Sequence, residues 1–237
     1  YRASDKESFV GSFADYSVFS EGAGARTGWV GQAHYAFVLP LQKIFGFVFL
    51  NLFMIVGAVD LFYFHIWKYK LHTRPESIYE HKLHGIFALI MVPLAYFLYY
   101  QNSGGWALWA GVFFVVAALT VEMLDVFSEG DSRASVGGLT TGEYSLHVAA
   151  TILKVASFAF IFATKPAAFW SLESPLSLGS YGSMGEMMAI QVMVGSLFIG
   201  LLHFALLNKR IGSISFSSAC SRLGCTGLGC CAAERQT

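Results

Sequence analysis

Five stretches of this chain, roughly 44–66, 84–101, 106–125, 143–164 and 186–207, are almost uninterrupted in apolar residues. Each has about the 17–25 residues that a helix needs to cross roughly 30 Å of hydrocarbon. Lipid satisfies no backbone N–H or C=O, so such runs must pair their polar groups internally, as helices do. The ten-residue alternation of a membrane barrel is absent. The expectation is an all-α, polytopic integral membrane bundle of about five transmembrane helices. Charge supports it: only 13% of the 237 residues are charged, about half of the roughly 25% typical of soluble domains.

Polar segments divide the chain. Residues 1–35 read as a polar extramembrane arm, 36–210 as the five-helix domain, and 211–237 as a flexible Cys/Ser/Gly-rich tail. Lysine and arginine set the orientation. Lys68, Lys70, Arg74 and Lys82 crowd the first inter-helix segment, Arg133 lies in the third, and Lys209, Arg210, Arg222 and Arg235 follow the fifth run. The positive-inside bias places those segments and the C-terminus inside and the N-terminus outside. Localisation to a bacterial inner membrane or an organellar membrane follows, with the lipid bilayer as first partner and other membrane subunits or further copies of the chain as second. The 15 basic and 15 acidic residues cancel, so nothing in the net charge attracts nucleic acid.

On this topology the acids and histidines gather at one membrane face. Asp60 and His65 lie near the inner end of helix 1, Glu80 and His84 at the start of helix 2, and Glu122 and Asp125 at the end of helix 3. Glu143 and His147 start helix 4, and His203 lies near the end of helix 5. Glu80-x-x-x-His84 and Glu143-x-x-x-His147 share one spacing, which puts each pair on one helix face. An acid precedes each on the previous helix, so the chain reads as two loosely repeated hairpins. Asp60 is the costliest member, because a charge within an apolar run costs about 2.5–3.5 kcal/mol or more on insertion scales. Lys154, seven residues past His147, lies about 10 Å deeper along helix 4. It is a candidate counter-ion to Asp60 or Glu122, or a cofactor contact, as is His203.

Oxygen and imidazole ligands suit iron, manganese, zinc or copper, and bridging carboxylates can hold two metals together. Asp60, Glu80, His84, Glu122, Asp125, Glu143 and His147 are the candidate metal ligands. In ligand inventory the set resembles the soluble di-iron carboxylate bundles, where two helices give a Glu and two a Glu-x-x-His. The i, i+4 spacing here departs from their i, i+3. The likeness is one of ligand inventory alone; the leading expectation from the ligand set is a membrane metalloprotein with an oxidoreductase or hydroxylase-type centre, of one metal or two, acting on an apolar substrate. Two alternatives stand beside it. One is a subunit of a respiratory or photosynthetic complex whose histidines ligate haem or chlorophyll, or merely pack. The other is a proton-coupled transporter, although Pro93 has no matching break in the second half.

Ordinary explanations apply to several residues. A first-turn glutamate complements a helix dipole, and Thr140 three residues before Glu143 has the spacing of a capping box. His72 and His81 read as loop residues, with His81 solvated. Trp67, Tyr63 and Tyr69 read as interfacial anchors at one edge and Trp106 and Trp109 at the other. Gln32 and His34 read as headgroup contacts. Cys220, Cys225, Cys230 and Cys231 have no zinc-site spacing and suit a flexible or lipid-modified tail.

Overall fold

The computed structural model describes residues 37–177 and 179–208, so the arm and the cysteine-bearing tail lie outside the described residues. Five helices follow in order: α1 Leu39–Val59, α2 Ile78–Ala95, α3 Gly105–Ser132, α4 Thr141–Ala163 and α5 Gly182–Leu206. With their short continuations, all five are long and apolar enough to cross a membrane, consistent with a multi-pass membrane protein. Among the described residues no strand forms beyond one isolated bridge between Ser103 and Ser177. Phe113, Ile152, Val194 and Phe198 each keep more than half of their surface exposed, as side chains do when they face lipid.

The helices form two packed groups. α1 lies along α4, while α2 lies between α5 and α3, and α1 touches α5 to join the groups. Small residues allow the close approaches. The side chain of Ile161 on α4 fills the space above Gly46 on α1, and Leu89 on α2 does the same at Gly200 on α5. Ser157 donates to the Gly46 carbonyl (2.6 Å) and lies 2.5 Å from the Tyr99 hydroxyl. α3 and α4 scarcely touch, and this open flank bounds the cavity described below.

Helix boundaries differ from the apolar runs wherever polar side chains are buried inside the protein. α2 begins at Ile78 rather than near 84, after a 3-10 turn at Pro75–Ser77. Pro75 stands at the first turn, where its missing N–H costs nothing. Glu80 and His81 are therefore helical and buried, and the expectation of a solvated His81 is corrected. α3 continues past Asp125 to Ser132 because Asp125, Glu129 and Ser132 all turn inward. α5 starts at Gly182, four residues before 186, and α4 spans Thr141–Ala163 rather than 143–164. α1 starts at Leu39, earlier than 44, then widens into a π-helix over Asp60–Lys68. α2 also widens, over Tyr96–Tyr100, just past Pro93, which lacks the N–H that would bond the preceding turn.

The bundle has two polar ends. At the one holding the 102–104 turn, Lys165 is buried, donating to Asn102 Oδ1 (2.7 Å) and the Ser103 carbonyl (3.1 Å), with its ammonium over the Tyr181 ring. Burial, and then the neighbouring Lys43 charge, hold the Lys165 pKa down to about 7. Between that value and the ordinary lysine value of 10.5, the unfolded chain keeps a proton that the folded protein has released. Stability should therefore rise with pH across this window. Melting temperatures of the solubilised protein measured from pH 7 to 10 should climb, and Lys165→Met should flatten the climb.

Candidate metal centre

At the other polar end, Arg133 is wholly buried just past the end of α3. Its guanidinium fork holds two carboxylates. Nη1 and Nη2 donate to Glu80 Oε2 (2.5 Å) and Oε1 (2.8 Å), while Nε and Nη2 donate to Glu143 Oε1 (2.8 and 2.6 Å). Nη1 also reaches Ser132 Oγ (2.8 Å), and that hydroxyl donates in turn to Glu80. Burial alone would favour the neutral guanidine, but the bonds and charges of Glu80 and Glu143 outweigh it and raise the Arg133 pKa above the ordinary arginine value. The two glutamates of the repeated Glu-x-x-x-His pattern thus meet at one cation supplied by the chain. Glu143 caps nothing: α4 has no side-chain cap, and the Thr140 hydroxyl instead accepts from Tyr69 (3.3 Å).

Beside this clamp, one ligand atom each from Asp60, His65, Glu143 and His147 lies within 4.8 Å of the other three. The π-helix makes the α1 half of this group. Five residues along an α-helix turn about 140° away from the starting face, which would separate Asp60 from His65. In the i→i+5 winding of a π-helix they stack, and His65 Nε2 lies 3.3 Å from Asp60 Oδ2. The α4 half uses the ordinary i, i+4 step from Glu143 to His147. His147 lies between two acids, Nε2 at 3.2 Å from Asp60 Oδ1 and Nδ1 at 2.7 Å from Glu129 Oε1. Neither contact is aligned as a hydrogen bond. Asp60 Oδ1 and Glu143 Oε2 are also buried without a hydrogen-bond partner among the described residues. A second grouping, His65, Glu80 and His84, is as compact, but both Glu80 oxygens already serve Arg133 and Ser132.

The imidazoles form their own cluster. His65 stacks on His84 (centroids 4.8 Å), and His84 lies edge-on to His203 (5.4 Å). His81 faces His203 with Nδ1 atoms 2.9 Å apart, so one of the pair donates and the other accepts. His72 packs edge-on to His81, and its pKa is lowered by burial and then by Lys70. His84 Nε2 lies 2.6 Å from Asp125 Oδ2. Five carboxylates (Asp60, Glu80, Asp125, Glu129 and Glu143) share this end with one guanidinium. The excess of acids over bases is met by protonated carboxyls, protonated imidazoles or a metal cation, since buried charges persist only when paired.

A cavity of about 150 Å³ opens from this cluster into the bundle, lined by residues of all five helices. Asp60, His84, Asp125, Glu129, His147 and His203 line its polar end, while Glu80 and Glu143 lie behind the wall. Its sides include Phe53, Leu61, Phe87, Met91 and Ala150. Lys154 and Glu122 close the deeper end as an ion pair, and Glu122 Oε1 also accepts from Thr151 (2.7 Å). Of the counter-ions expected for Lys154, Glu122 is the one it meets.

Compared with known proteins, the chain matches no family model, no curated protein and no solved structure.

The expected ligands thus divide into four sets. Asp60, Glu143 and His147 converge. His84 and Asp125 pair with one another on the cavity wall, and Glu80 belongs to the arginine clamp. Glu122 lies deeper, with Lys154. Three contributors were not among the expected ligands. His65 adjoins Asp60 in sequence, but its convergence depends on the π-winding. Glu129 lies one turn beyond Asp125, past the end of the apolar run. Arg133 appears in the sequence only as a loop charge. The one available signal was the i, i+4 step from Asp125 to Glu129, which puts both acids on one face of a longer α3.

Proposed function

We propose that the protein is a membrane metalloprotein binding a transition metal through Asp60, His65, Glu143 and His147. The observation that carries this reading is the four-residue group itself: two imidazoles and two carboxylates with ligand atoms within 4.8 Å of one another, and buried oxygens on Asp60 and Glu143 that have no hydrogen-bond partner among the described residues. Imidazole with carboxylate suits iron, manganese, zinc or copper. Glu129, 2.7 Å from His147 Nδ1, stands where the carboxylate of a carboxylate–histidine–metal relay would stand, and a small turn of the ring would align the bond. A second ion at His65, Glu80 and His84 would have to displace Arg133 from Glu80, so one metal per chain is the favoured stoichiometry.

The chemistry proposed is of oxidoreductase or hydroxylase type, on an apolar substrate seated in the adjoining cavity. The metal would supply Lewis acidity or redox capacity. Asp60 and His147 both line the cavity and would face the substrate directly. Haem or chlorophyll is the weaker reading, because His84 and His147 are each engaged by carboxylates and about 150 Å³ does not hold a macrocycle. By the distribution of Lys68, Lys70, Arg74, Lys82 and Arg133, this end would face the inner side of the membrane.

Elemental analysis of the purified, detergent-solubilised protein tests the reading. One transition-metal atom per chain is expected, retained in Glu122→Gln and lost in Asp60→Asn and His147→Ala. Folded wild-type protein that stays metal-free after incubation with Fe(II), Mn(II), Zn(II) and Cu(II) in turn would sink it.

A further inference from the structure

We propose that the cavity takes an oxygen-bearing six-membered ring of the quinone class, with one ring oxygen toward Lys154 and the other toward the histidine–carboxylate end. This deepens the metalloprotein reading by naming the substrate class, and it rests on that reading in treating the cavity as the substrate chamber.

Size is the first argument. A cavity of about 150 Å³ is that of a protein cavity known to accept benzene, so it fits one ring. Chemistry is the second. The walls are apolar and aromatic, with Phe53 and Phe87 among them, but both ends are polar. An ammonium has three donors, and Glu122 takes one from Lys154. The ammonium otherwise rests over the rings of Phe87 (4.7 Å) and Phe53 (5.5 Å), where a carbonyl oxygen could receive it. A plain hydrocarbon offers that ammonium nothing, and a site with a buried donor discriminates against a ligand that leaves it unpaired. At the opposite end His84 and His203 line the cavity, and His84 Nδ1 and His203 Nε2, which take no part in the contacts with Asp125 and His81, are placed to meet the second oxygen. Along α4, the seven residues from His147 to Lys154 span about 10 Å, a length that suits a ring with oxygens at opposite positions.

Access is the third argument. α3 and α4 scarcely touch, so the cavity adjoins the flank where lipid would lie. Glu122 on α3, holding Thr151 and Lys154 on α4, spans that flank. An apolar tail attached to the ring could leave between the two helices, below or above this bridge, while the ring stays inside.

The test compares decylbenzoquinone with decylbenzene, which keeps ring and tail but lacks the oxygens. Both are titrated against the full chain in lipid nanodiscs by thermal shift and equilibrium binding, with metal content measured on the same samples. The quinone should bind at least tenfold more tightly than decylbenzene. Lys154→Met should remove that preference, and Ala150→Phe, which fills the cavity while leaving the Lys154 ammonium in the chain, should abolish binding of both. Equal affinity for the two compounds, quinone binding untouched by Ala150→Phe, or no binding to metal-loaded wild-type protein would each overturn the inference and leave the metal reading standing. Protein that stays metal-free after incubation with Fe(II), Mn(II), Zn(II) and Cu(II) yet still prefers the quinone would sink the metal reading and support the ring site. Should Lys154→Met fail to fold, Ala150→Phe and the decylbenzene comparison still decide.

Discussion

Replacing Arg133 with methionine should destabilise the protein by about 3–5 kcal/mol, the range for breaking a buried ion pair from one side. The guanidinium makes six hydrogen bonds, to two carboxylates, a serine hydroxyl and His65 Nε2 (3.2 Å), all inside the protein. Without it, Glu80 and Glu143 face each other as buried carboxylates that have lost the guanidinium they share. Lysine should rescue little, because one ammonium cannot reproduce the planar fork that holds both carboxylates at once. The informative control is Arg133→Met combined with Glu80→Gln and Glu143→Gln, which removes the charges along with their partner. That triple variant should recover most of the lost thermal stability, since replacing a whole buried ionic group is often close to neutral. Melting temperature and yield of monodisperse solubilised protein measure both effects. An Arg133→Met protein as stable as wild type would show that the clamp is not a structural keystone.

The second large effect separates the two glutamates, which the sequence pattern treats as equivalent. Glu143 gives Oε1 to Arg133 and keeps Oε2 free of hydrogen bonds, whereas both Glu80 oxygens are occupied. If the metal is bound as proposed, Glu143→Gln should weaken it by well over 100-fold, and Glu80→Gln should leave one metal bound. Glu129→Gln, which acts only by orienting His147, should fall between them at about 10–100-fold, the usual effect of a carboxylate behind a ligating histidine. Competition with a chelator of known affinity gives all three values. Equal loss in Glu80→Gln and Glu143→Gln would point to a centre spanning both groups and to two metals.

How much of this could be read beforehand depended on whether a feature was local. The five helices were, because lipid imposes a length and a composition that each run displays by itself. The gathering of acids and histidines at one end was also legible, since alternating helix direction brings the ends of α1, α3 and α5 beside the starts of α2 and α4. The Glu-x-x-x-His spacing gave a true shared face but hid the separation of its members. Each glutamate is a turn nearer the helix start and reaches Arg133 beyond the end of α3, while each histidine, one turn deeper, reaches the cavity. His81 read as a loop residue because apolar content, the only boundary signal available, fails where a helix buries polar groups against its neighbours. The same failure shortened α3 and concealed Glu129. Arg133 could not have been found by pattern, since its importance lies in what two other helices bring to it.

The π-winding at Asp60–Lys68 has a genetic reading. A π-segment is an α-helix carrying one extra residue, so a single codon separates two chains that would look nearly identical in hydropathy. Without that codon, the aspartate and the histidine would stand four apart on an ordinary α-helix, still on one face. With it, they stand five apart and still stack, because the wider turn absorbs the extra residue. The pairing therefore depends on winding and chain length changing together: a one-residue deletion among positions 61–64 should restore an α-helix and keep both side chains side by side, whereas forcing α-winding on the present length would part them.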